Sequence, residues 1–204
     1  MMKRKYSVIV FDLGNVLIPF DYSIAVNKLN KIEARLGDDF IDSYKSNYHI
    51  HRAFERGDMS EKEFLDSMLN IVDHKIDAET FCRYYSEIFT VNEDVAALLP
   101  ILKKKYMLVL LSNTNSIHYR YGYQHYEFLK HFDKLILSHE VNAVKPEEKI
   151  YRAVEAFTLK ASEEHIFIDD IKEYVDGAKN IGWDAIQFKG YDDLIKDLKQ
   201  KDIL

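Results

Sequence analysis

The sequence predicts a doubly wound, Rossmann-like parallel α/β sheet with an inserted α-helical cap. Short apolar, β-branched runs alternate with helical patterns in the later part of the chain, which is typical of βαβ units. A long stretch between the first and second apolar runs has helical periodicity and no strand candidate. The chain of 204 residues is long enough for one compact α/β unit that carries such an insertion.

Five apolar runs are predicted to form the sheet. Residues 6–11, 106–111 and 165–168 show little alternation, as expected of strands that are buried on both faces. Residues 134–137 and 184–188 are weaker candidates. The three strongest strands all end at polar side chains, which are, in chain order, Asp12, Ser112-Asn113 and Asp169-Asp170.

Helix starts are marked by capping residues and prolines. The signals are a capping box of Ser60 and Glu63, Asp77 before a helical pattern over 80–89, Asn92 before a helix over 93–104, and Pro146 in a first turn.

These elements predict a core of residues 1–19 and 92–204 and a helical cap of residues 20–91. Pro19 and the stretch 90–92 would form the two connections, because proline and turn-forming residues are used at such joints.

Composition excludes several classes of protein. Lys and Arg number 28 against 34 Asp and Glu, so a net charge of -6 offers no basic field for nucleic acid. No apolar run approaches the roughly 20 residues that span a bilayer, and the basic start of the chain leads directly into a strand. The only cysteine, Cys82, has no partner for an intrachain disulfide, which favours the cytoplasm. No obligate protein partner is inferred.

The strand ends predict where the chemistry lies. The carboxyl ends of parallel strands meet at one edge of the sheet, where ligands bind, so Asp12, Ser112 and the Asp169-Asp170 pair are expected to converge. A hard divalent cation best relieves the mutual repulsion of crowded carboxylates, and Mg²⁺ binds carboxylates together with phosphate oxygens. This favours phosphoryl transfer, although each residue alone could simply cap the following helix.

Four motifs in a fixed order carry a resemblance to a known family. They are the segments at residues 11–17 (FDLGNVL), 111–115 (LSNTN), 144–151 (VKPEEKIY) and 167–170 (FIDD). This order resembles the haloacid dehalogenase superfamily, and within it the small, helically capped phosphatases similar to bacterial α-D-glucose-1-phosphate phosphatase. The resemblance covers nearly the whole chain and includes the cap segment 54–60.

The resemblance implies a role for each motif residue. Asp12 is expected to be the nucleophile that takes up the phosphoryl group as an aspartyl phosphate. Ser112 and Asn113 would bind the phosphoryl oxygens, and Lys145 would neutralise the charge shared by the phosphate and Asp12. Cap residues near Glu55 would reach the substrate from above.

The resemblance also implies a Mg²⁺ site. Its ligands would be Asp12, the main-chain carbonyl of Gly14, Asp169 and Asp170. One aspartate of this pair could instead support the metal ligands without binding the cation directly. The alternative metal pair, His49 and His51, is better read as a surface or core histidine pair, since the two side chains point to different faces of a helix.

Two positions depart from the family pattern. Most phosphatases of the superfamily have a second aspartate two residues after the nucleophile, which acts as general acid and base, and this chain has Gly14 there. Tyr174 stands where Asn or Asp is common.

The sequence thus predicts a Mg²⁺-dependent phosphatase that hydrolyses small phosphorylated metabolites, with sugar phosphates as the leading class and no nucleic acid or membrane as partner. Two alternatives stay open. One is a metal-independent haloacid dehalogenase, and the other is a catalytically weak phosphate-binding protein.

Overall fold

A computed structural model describes residues 5–204, and its centre is a five-stranded parallel sheet. The strands are β1 (Val8–Phe11), β2 (Met107–Ser112), β3 (Lys134–Leu137), β4 (His165–Asp169) and β5 (Asp184–Gln187). They lie in the order β3-β2-β1-β4-β5, and every pair is parallel. The predicted fold class is confirmed.

The order of the strands creates a crevice at the centre of the sheet. From β1 the chain moves outward through β2 and β3 on one side, and then returns to place β4 and β5 on the other side. The reversal lies between β1 and β4, and ligands of open α/β sheets bind outside the carboxyl ends of the strands at such a point. Asp12 follows β1, and Asp169 ends β4, so both lie at this crevice.

Apolar layers cover both faces of the sheet. Val10 belongs to a buried cluster with Val154, whereas its neighbour Ile9 belongs to the cluster on the other face with Leu198. All residues of β1 and β4 are buried, which explains why these strands read as continuous apolar runs. Rigid central strands therefore hold the residues at the crevice.

The stretch between β1 and β2 begins with five helices and has an apolar cluster of its own. The helices are α1 (Ser23–Asn30), α2 (Leu36–Ser46), α3 (Tyr48–Arg56), α4 (Glu61–Ile71) and α5 (Ala78–Ser86). Phe40, Phe64 and Phe81 are buried in that cluster, together with Ile117 from the chain beyond β2. The division into a core and a cap of residues 20–91, called the predicted cap below, stays a prediction, and residues 1–4 of the predicted core lie outside the described residues.

Further helices surround the sheet. They are α6 (Glu93–Ala96), α7 (Leu99–Leu102), α8 (Ser138–Val141), α9 (Glu148–Thr158), α10 (Lys172–Asn180) and α11 (Tyr191–Gln200), with a π-helix over His118–Tyr123 and 3-10 turns over Glu127–His131 and Ser162–Glu164. In the described range 5–204 we find no helix with both the length and the apolar character needed to cross a bilayer.

Two of the predicted helix starts are confirmed in full, the start at Asn92 is confirmed in position only, and Pro146 in a first turn is wrong. The Ser60–Glu63 capping box is present, and Asp77 accepts from the main-chain N–H of Thr80 at 2.7 Å. The helix expected over 93–104 is divided into α6 and α7, because Pro100 lacks an N–H and is tolerated only in a first turn. Asn92 does not cap α6 through its side chain.

Pro146 precedes its helix and does not lie in the first turn. Helix α9 begins at Glu148, with Glu147 in the capping position. The Lys145-Pro146 peptide bond is cis.

Candidate active site

Lys145 joins two carboxylates at the crevice. Its Nζ donates to Asp12 Oδ1 and to Asp169 Oδ2, each at 2.6 Å. The ammonium group is almost completely buried, and the side chain of Asp169 is fully buried. Asp12 and Asp169 come from adjacent strands, whereas Lys145 comes from the loop before α9.

Burial and charge set the protonation of this group. Burial alone would lower the pKa of Lys145, but the carboxylates of Asp12 and Asp169 outweigh it and raise that pKa above its usual range. Burial raises the pKa of Asp12, and the charge of Asp169 adds to the effect while Lys145 opposes it. Lys145 is therefore a permanent cation beside carboxylates that still carry excess negative charge.

A third carboxylate completes the acidic cluster. Each of Asp12, Asp169 and Asp170 has an oxygen that lies within 4.8 Å of the other two. Burial, and then the charge of Asp169, raises the pKa of Asp170. One lysine does not balance three carboxylates, and oxygen donors in such a set fit a hard divalent cation such as Mg²⁺. The residues present therefore suit the predicted metal.

The two members of the acidic pair have different surroundings. Asp169 accepts from Lys145 through Oδ2 and from the main-chain N–H of Ile171 through Oδ1, so both its oxygens are engaged. Asp170 is half-buried, lines the adjoining cavity and accepts from Asn15 Nδ2 at 3.2 Å. Asp170 is thus the member with an oxygen available to a cation, and Asp169 orients Lys145.

Gly14 also lines the cavity, two residues after Asp12. A Cβ atom built on Gly14 would have Phe20 Cε1 as its nearest neighbour, at 3.5 Å, which is an ordinary van der Waals contact. The backbone therefore does not demand glycine at this position.

Ser112 and Asn113 both line the cavity, but their side chains differ in availability. Asn113 Oδ1 accepts from the main-chain N–H of Lys145 at 2.8 Å, and its Nδ2 donates to the Lys145 carbonyl at 3.2 Å. The carboxamide therefore holds the Lys145 backbone. Ser112 Oγ makes only a long contact, 3.4 Å, with the Asn113 carbonyl, so the hydroxyl remains available for a ligand.

Tyr174 occupies the place where the family pattern has Asn or Asp. The Lys145 Nζ lies 5.1 Å from the centre of the Tyr174 ring, and Asn113 Nδ2 lies 3.3 Å from its hydroxyl. Tyr174 thus forms a wall of the cavity beside the lysine and supports that cation through its ring face.

The cavity has a volume of about 290 Å³ and extends from the acidic cluster to the predicted cap. Its far end is lined by side chains of α3, which include His51, Arg52 and Glu55. The neighbouring aromatic residues Tyr22, Tyr44 and His118 line it as well. A ligand held at Asp12 would therefore contact both parts of the chain.

Glu55 is the charged centre of that far end. Its carboxylate accepts from His51 Nε2 at 3.1 Å and from Arg52 Nη1 at 3.2 Å. Burial alone would raise the pKa of Glu55, but His51 and Arg52 outweigh it and hold it below its usual value. Glu55 therefore remains an anion that is neutralised locally.

The α3 helix is joined to the sheet side of the cavity at its last turn. Ser138 Oγ donates to the Glu55 carbonyl at 2.6 Å, and Arg56 forms two hydrogen bonds with Glu147. Asn142 Nδ2 donates to the Gly57 carbonyl at 3.2 Å. These contacts hold the Glu55 end of the helix over the crevice.

The structure brings together every residue that the sequence placed at the site, namely Asp12, Gly14, Ser112, Asn113, Lys145, Asp169 and Asp170. The sequence had also pointed to residues near Glu55. It missed His118, Asn15 and the position of Tyr174. His118 lies three residues after the LSNTN motif, and that proximity is the one signal that could have found it. His49 is exposed whereas His51 is buried.

Comparisons with known proteins identify the family of this chain. Residues 6–182 match the haloacid dehalogenase-like hydrolase family. The chain is 27% identical to D-ribitol-5-phosphate phosphatase of Bacteroides thetaiotaomicron over 188 residues, which is 88% of this chain and 90% of that protein. It is 25% identical to glyceraldehyde 3-phosphate phosphatase of Pyrococcus furiosus over 196 residues, 91% of this chain and 82% of that protein.

Solved structures share the fold. A haloacid dehalogenase family enzyme from Bacteroides thetaiotaomicron superposes with a TM-score of 0.80 at 24% identity, over 94% of this chain and 99% of that one. A complex of that enzyme with magnesium and inorganic phosphate has a TM-score of 0.78 at 24% identity, over 93% of this chain and 98% of that one. L-2-haloacid dehalogenase from Xanthobacter autotrophicus has a TM-score of 0.63 at 18% identity, over 98% of this chain and 84% of that one.

Proposed function

The chain belongs to the haloacid dehalogenase-like hydrolase family, and from this we propose that it is a Mg²⁺-dependent phosphatase of small phosphorylated metabolites that acts through an aspartyl phosphate on Asp12. The observation that carries the proposal is the convergence of Asp12, Lys145 and the Asp169-Asp170 pair at the crevice of the sheet. Nucleophile, cation and metal-binding oxygens are the parts that phosphoryl transfer requires.

Asp12 would act first. A carboxylate oxygen of Asp12 attacks phosphorus, the bond from phosphorus to the ester oxygen breaks with its electron pair on that oxygen, and the leaving alkoxide takes a proton from water. Water then hydrolyses the acyl phosphate, which releases inorganic phosphate and restores the carboxylate. Lys145 is positioned to hold Asp12 ionised and to offset the negative charge of the arriving phosphate, because its Nζ already contacts the Asp12 oxygen.

Ser112 would bind the phosphoryl group through its available hydroxyl. Asn113 would act through its main chain and by fixing the Lys145 backbone, because its carboxamide is engaged there.

Asp12, Asp170 and the Gly14 carbonyl would hold Mg²⁺, and Asp169 would orient Lys145. When bound, the cation neutralises the carboxylates and the phosphate, so that an anionic nucleophile can approach an anionic substrate. The magnesium and phosphate complex of the structural neighbour supports this choice of metal.

Sugar phosphates and related polyol phosphates are the proposed substrates. The two curated relatives are named for ribitol 5-phosphate and glyceraldehyde 3-phosphate, which are small hydroxylated esters. The cavity of about 290 Å³ is of a size for such molecules, and the predicted cap closes its far end.

The dehalogenase alternative has weaker support. A halide leaving group needs no metal, so a dehalogenase has no use for the available oxygen of the half-buried Asp170 beside Asp12. A silent phosphate-binding protein differs from the proposal only in turnover, which an assay decides.

The test is release of phosphate from a panel of esters with the purified protein and added Mg²⁺. The panel contains D-ribitol 5-phosphate, D-glyceraldehyde 3-phosphate, α-D-glucose 1-phosphate and p-nitrophenyl phosphate, and 2-chloropropionate serves as the dehalogenase probe. We expect phosphate release that requires Asp12. Chloride release from 2-chloropropionate without phosphate release, or phosphate binding without turnover, would reject the proposal in favour of the corresponding alternative.

A further inference from the structure

Asn15 lies in the turn after β1, and its side chain reaches the third carboxylate of the site. Its Nδ2 donates to Asp170 Oδ2 at 3.2 Å. Both residues line the cavity, and they are 155 residues apart in the chain. The contact therefore joins the turn that follows the nucleophile to the strand end that carries the acidic pair.

The backbone of Asn15 restricts which residues can stand at this position. Its φ of 55° lies in the left-handed region, which glycine, asparagine and aspartate adopt more readily than most other residues. Of these three, asparagine is the one whose side chain donates hydrogen bonds near neutral pH. Glycine offers no side chain, and aspartate would place a fourth carboxylate beside the acidic cluster. The backbone conformation and the contact with Asp170 thus both favour asparagine.

The turn that carries Asn15 is held in place by main-chain hydrogen bonds. The N–H of Asn15 donates to the Ile18 carbonyl at 3.1 Å. The N–H groups of Leu17 and Ile18 both donate to the Leu13 carbonyl at 2.9 Å, and the side chains of these three apolar residues are buried. The carboxamide of Asn15 is therefore offered to Asp170 from a fixed backbone.

Asp170 is anchored on its other side through its main chain. Gln187 Nε2, at the end of β5, donates to the Asp170 carbonyl at 3.1 Å. This anchor fixes the backbone but leaves the carboxylate free to rotate about its own side-chain bonds. Within residues 5–204, the hydrogen bond from Asn15 is the one contact from another side chain that restrains the Asp170 carboxylate.

A restrained carboxylate is a better metal ligand than a mobile one. Groups that hydrogen-bond to a ligand orient it for the metal, and their loss lowers the affinity for that metal. In the observed orientation, Asp170 keeps an oxygen within 4.8 Å of oxygens from Asp12 and Asp169. A carboxylate that rotates freely must give up this freedom when the cation binds, which weakens binding.

We propose that Asn15 is a positioning residue of the metal site, whose Nδ2 holds the Asp170 carboxylate in the orientation that binds Mg²⁺ together with Asp12. In this role Asn15 contacts neither the cation nor the substrate. The inference rests on the proposed phosphatase function and its metal site, and it adds a residue that acts through Asp170.

The experiment measures the affinity for Mg²⁺ directly, by calorimetric titration of the metal-free protein. Asn15→Gly keeps the left-handed backbone and removes the side chain, and in Asn15→Ser the side chain ends one bond short of the Nδ2 position. Asp73→Gly is the matched control, because Asp73 is exposed, has a φ of 49° and does not line the cavity. Asp170→Ala, alone and combined with Asn15→Gly, tests whether Asn15 acts through Asp170.

Asn15→Gly and Asn15→Ser should each raise the Mg²⁺ dissociation constant roughly ten-fold, the lower end of the range for groups that support a metal ligand. Asp73→Gly should leave it unchanged. In the Asp170→Ala background, Asn15→Gly should have little further effect, because the two residues are coupled. Excess Mg²⁺ should recover most of the p-nitrophenyl phosphate hydrolysis that Asn15→Gly loses. Thermal denaturation in EDTA should differ little between Asn15→Gly and Asp73→Gly, which separates metal affinity from folding.

Failure of the positioning role and failure of the phosphatase function give different results. The positioning role is wrong, and the phosphatase function stands, if the wild type binds Mg²⁺ and hydrolyses p-nitrophenyl phosphate but both Asn15 variants bind Mg²⁺ as tightly as the wild type. The role is also wrong if the loss from Asn15→Gly persists in full in the Asp170→Ala background. A higher KM at saturating Mg²⁺ with unchanged Mg²⁺ affinity would show instead that Asn15 contacts the substrate. If the wild type neither binds Mg²⁺ nor hydrolyses the esters with it, the proposed function fails, and the role of Asn15 fails with it.

Discussion

Lys145 Nζ lies 2.6 Å from Asp12 Oδ1 in a site where the lysine is almost completely buried. A buried cation of this kind is costly unless carboxylates face it. A second carboxylate, that of Asp169 on the adjacent strand, lies at the same distance from Lys145 Nζ. The arrangement makes the folding of the crevice and its chemistry depend on one ammonium group.

Replacing that ammonium group should therefore damage both properties. Lys145→Met leaves two buried carboxylates without their cation, and removal of one partner from a buried ion pair costs about 3–5 kcal/mol. We expect a lower free energy of unfolding in urea and no measurable turnover. Lys160→Met, at an exposed position of similar chemistry, is the control and should change neither. Unaltered stability in Lys145→Met would contradict the buried ion pair.

Asp12→Asn should separate chemistry from folding. The amide cannot act as the nucleophile, so turnover should fall below detection, while an isosteric side chain still fills the space beside Lys145. Thermal denaturation and p-nitrophenyl phosphate hydrolysis are the two measurements. Substantial residual turnover would show that another group attacks phosphorus.

Metal dependence should reside in Asp170. EDTA should abolish activity and added Mg²⁺ should restore it, because the acidic cluster needs a second source of positive charge. Asp170→Asn should raise the Mg²⁺ concentration for half-maximal activity by roughly 10- to 100-fold, on the scale of the losses seen when groups at a metal site are changed. Glu173→Gln, on an exposed side chain of α10, is the matched control. Full activity in EDTA would remove the metal from the mechanism.

The sequence predicted the sheet edge well because strand ends are local features. An apolar run followed by a carboxylate, as at Asp12 and Asp169, is visible in a few residues, and parallel pairing brings such ends together. The far wall of the cavity is different, since Tyr22, Glu55 and His118 are far apart in the chain and meet only through packing.

A sequence motif also does not show which way its side chains point in the folded protein. Asn113 looked like a phosphate ligand, but its carboxamide faces the Lys145 backbone. The acidic pair looked like two equivalent ligands, but Asp169 is fully engaged and Asp170 is not. Adjacent residues of a strand end point in opposite directions, so only the folded structure assigns them.

Stability at low pH should depend on Asp184, at the amino end of β5. Burial alone would raise its pKa, but hydrogen bonds from Lys201, Tyr6 and Lys5 outweigh it and hold the pKa well below its usual value. A carboxyl whose pKa is depressed by folding stabilises the protein above its unfolded pKa of about 4, and this contribution is lost as the pH falls below that value.

The measurement is the free energy of unfolding between about pH 5 and pH 2. The wild type should lose stability over this range, and Asp184→Asn should be less stable at pH 5 with a shallower loss. Asp192→Asn, at an exposed aspartate of α11, should follow the wild type. An Asp184→Asn curve parallel to that of the wild type would show that the three donors do not favour the ionised form.

Gly14 offers the one substitution that is expected to increase activity. With no acid two residues after Asp12, the leaving alcohol must depart with little help, so esters of acidic alcohols such as p-nitrophenol and anomeric hydroxyls should react faster than alkyl esters. A Cβ atom at Gly14 meets only Phe20 at van der Waals distance, so the position has room for the first atom of a side chain. Gly14→Asp should raise kcat for D-ribitol 5-phosphate about 100-fold, which is the lower end of the range for general acid catalysis. It should change kcat for p-nitrophenyl phosphate much less, because that leaving group needs less protonation.

The control is Gly14→Asn, which has the same shape and cannot donate a proton as a carboxylic acid does. It should remain near the wild-type rate for both esters. Across a series of phosphate esters with leaving groups of graded pKa, kcat/KM of the wild type should fall steeply as that pKa rises, and Gly14→Asp should flatten the slope. A wild-type slope that is already flat would mean that another residue, the substrate or a water molecule supplies the proton, and the gain from Gly14→Asp would then disappear.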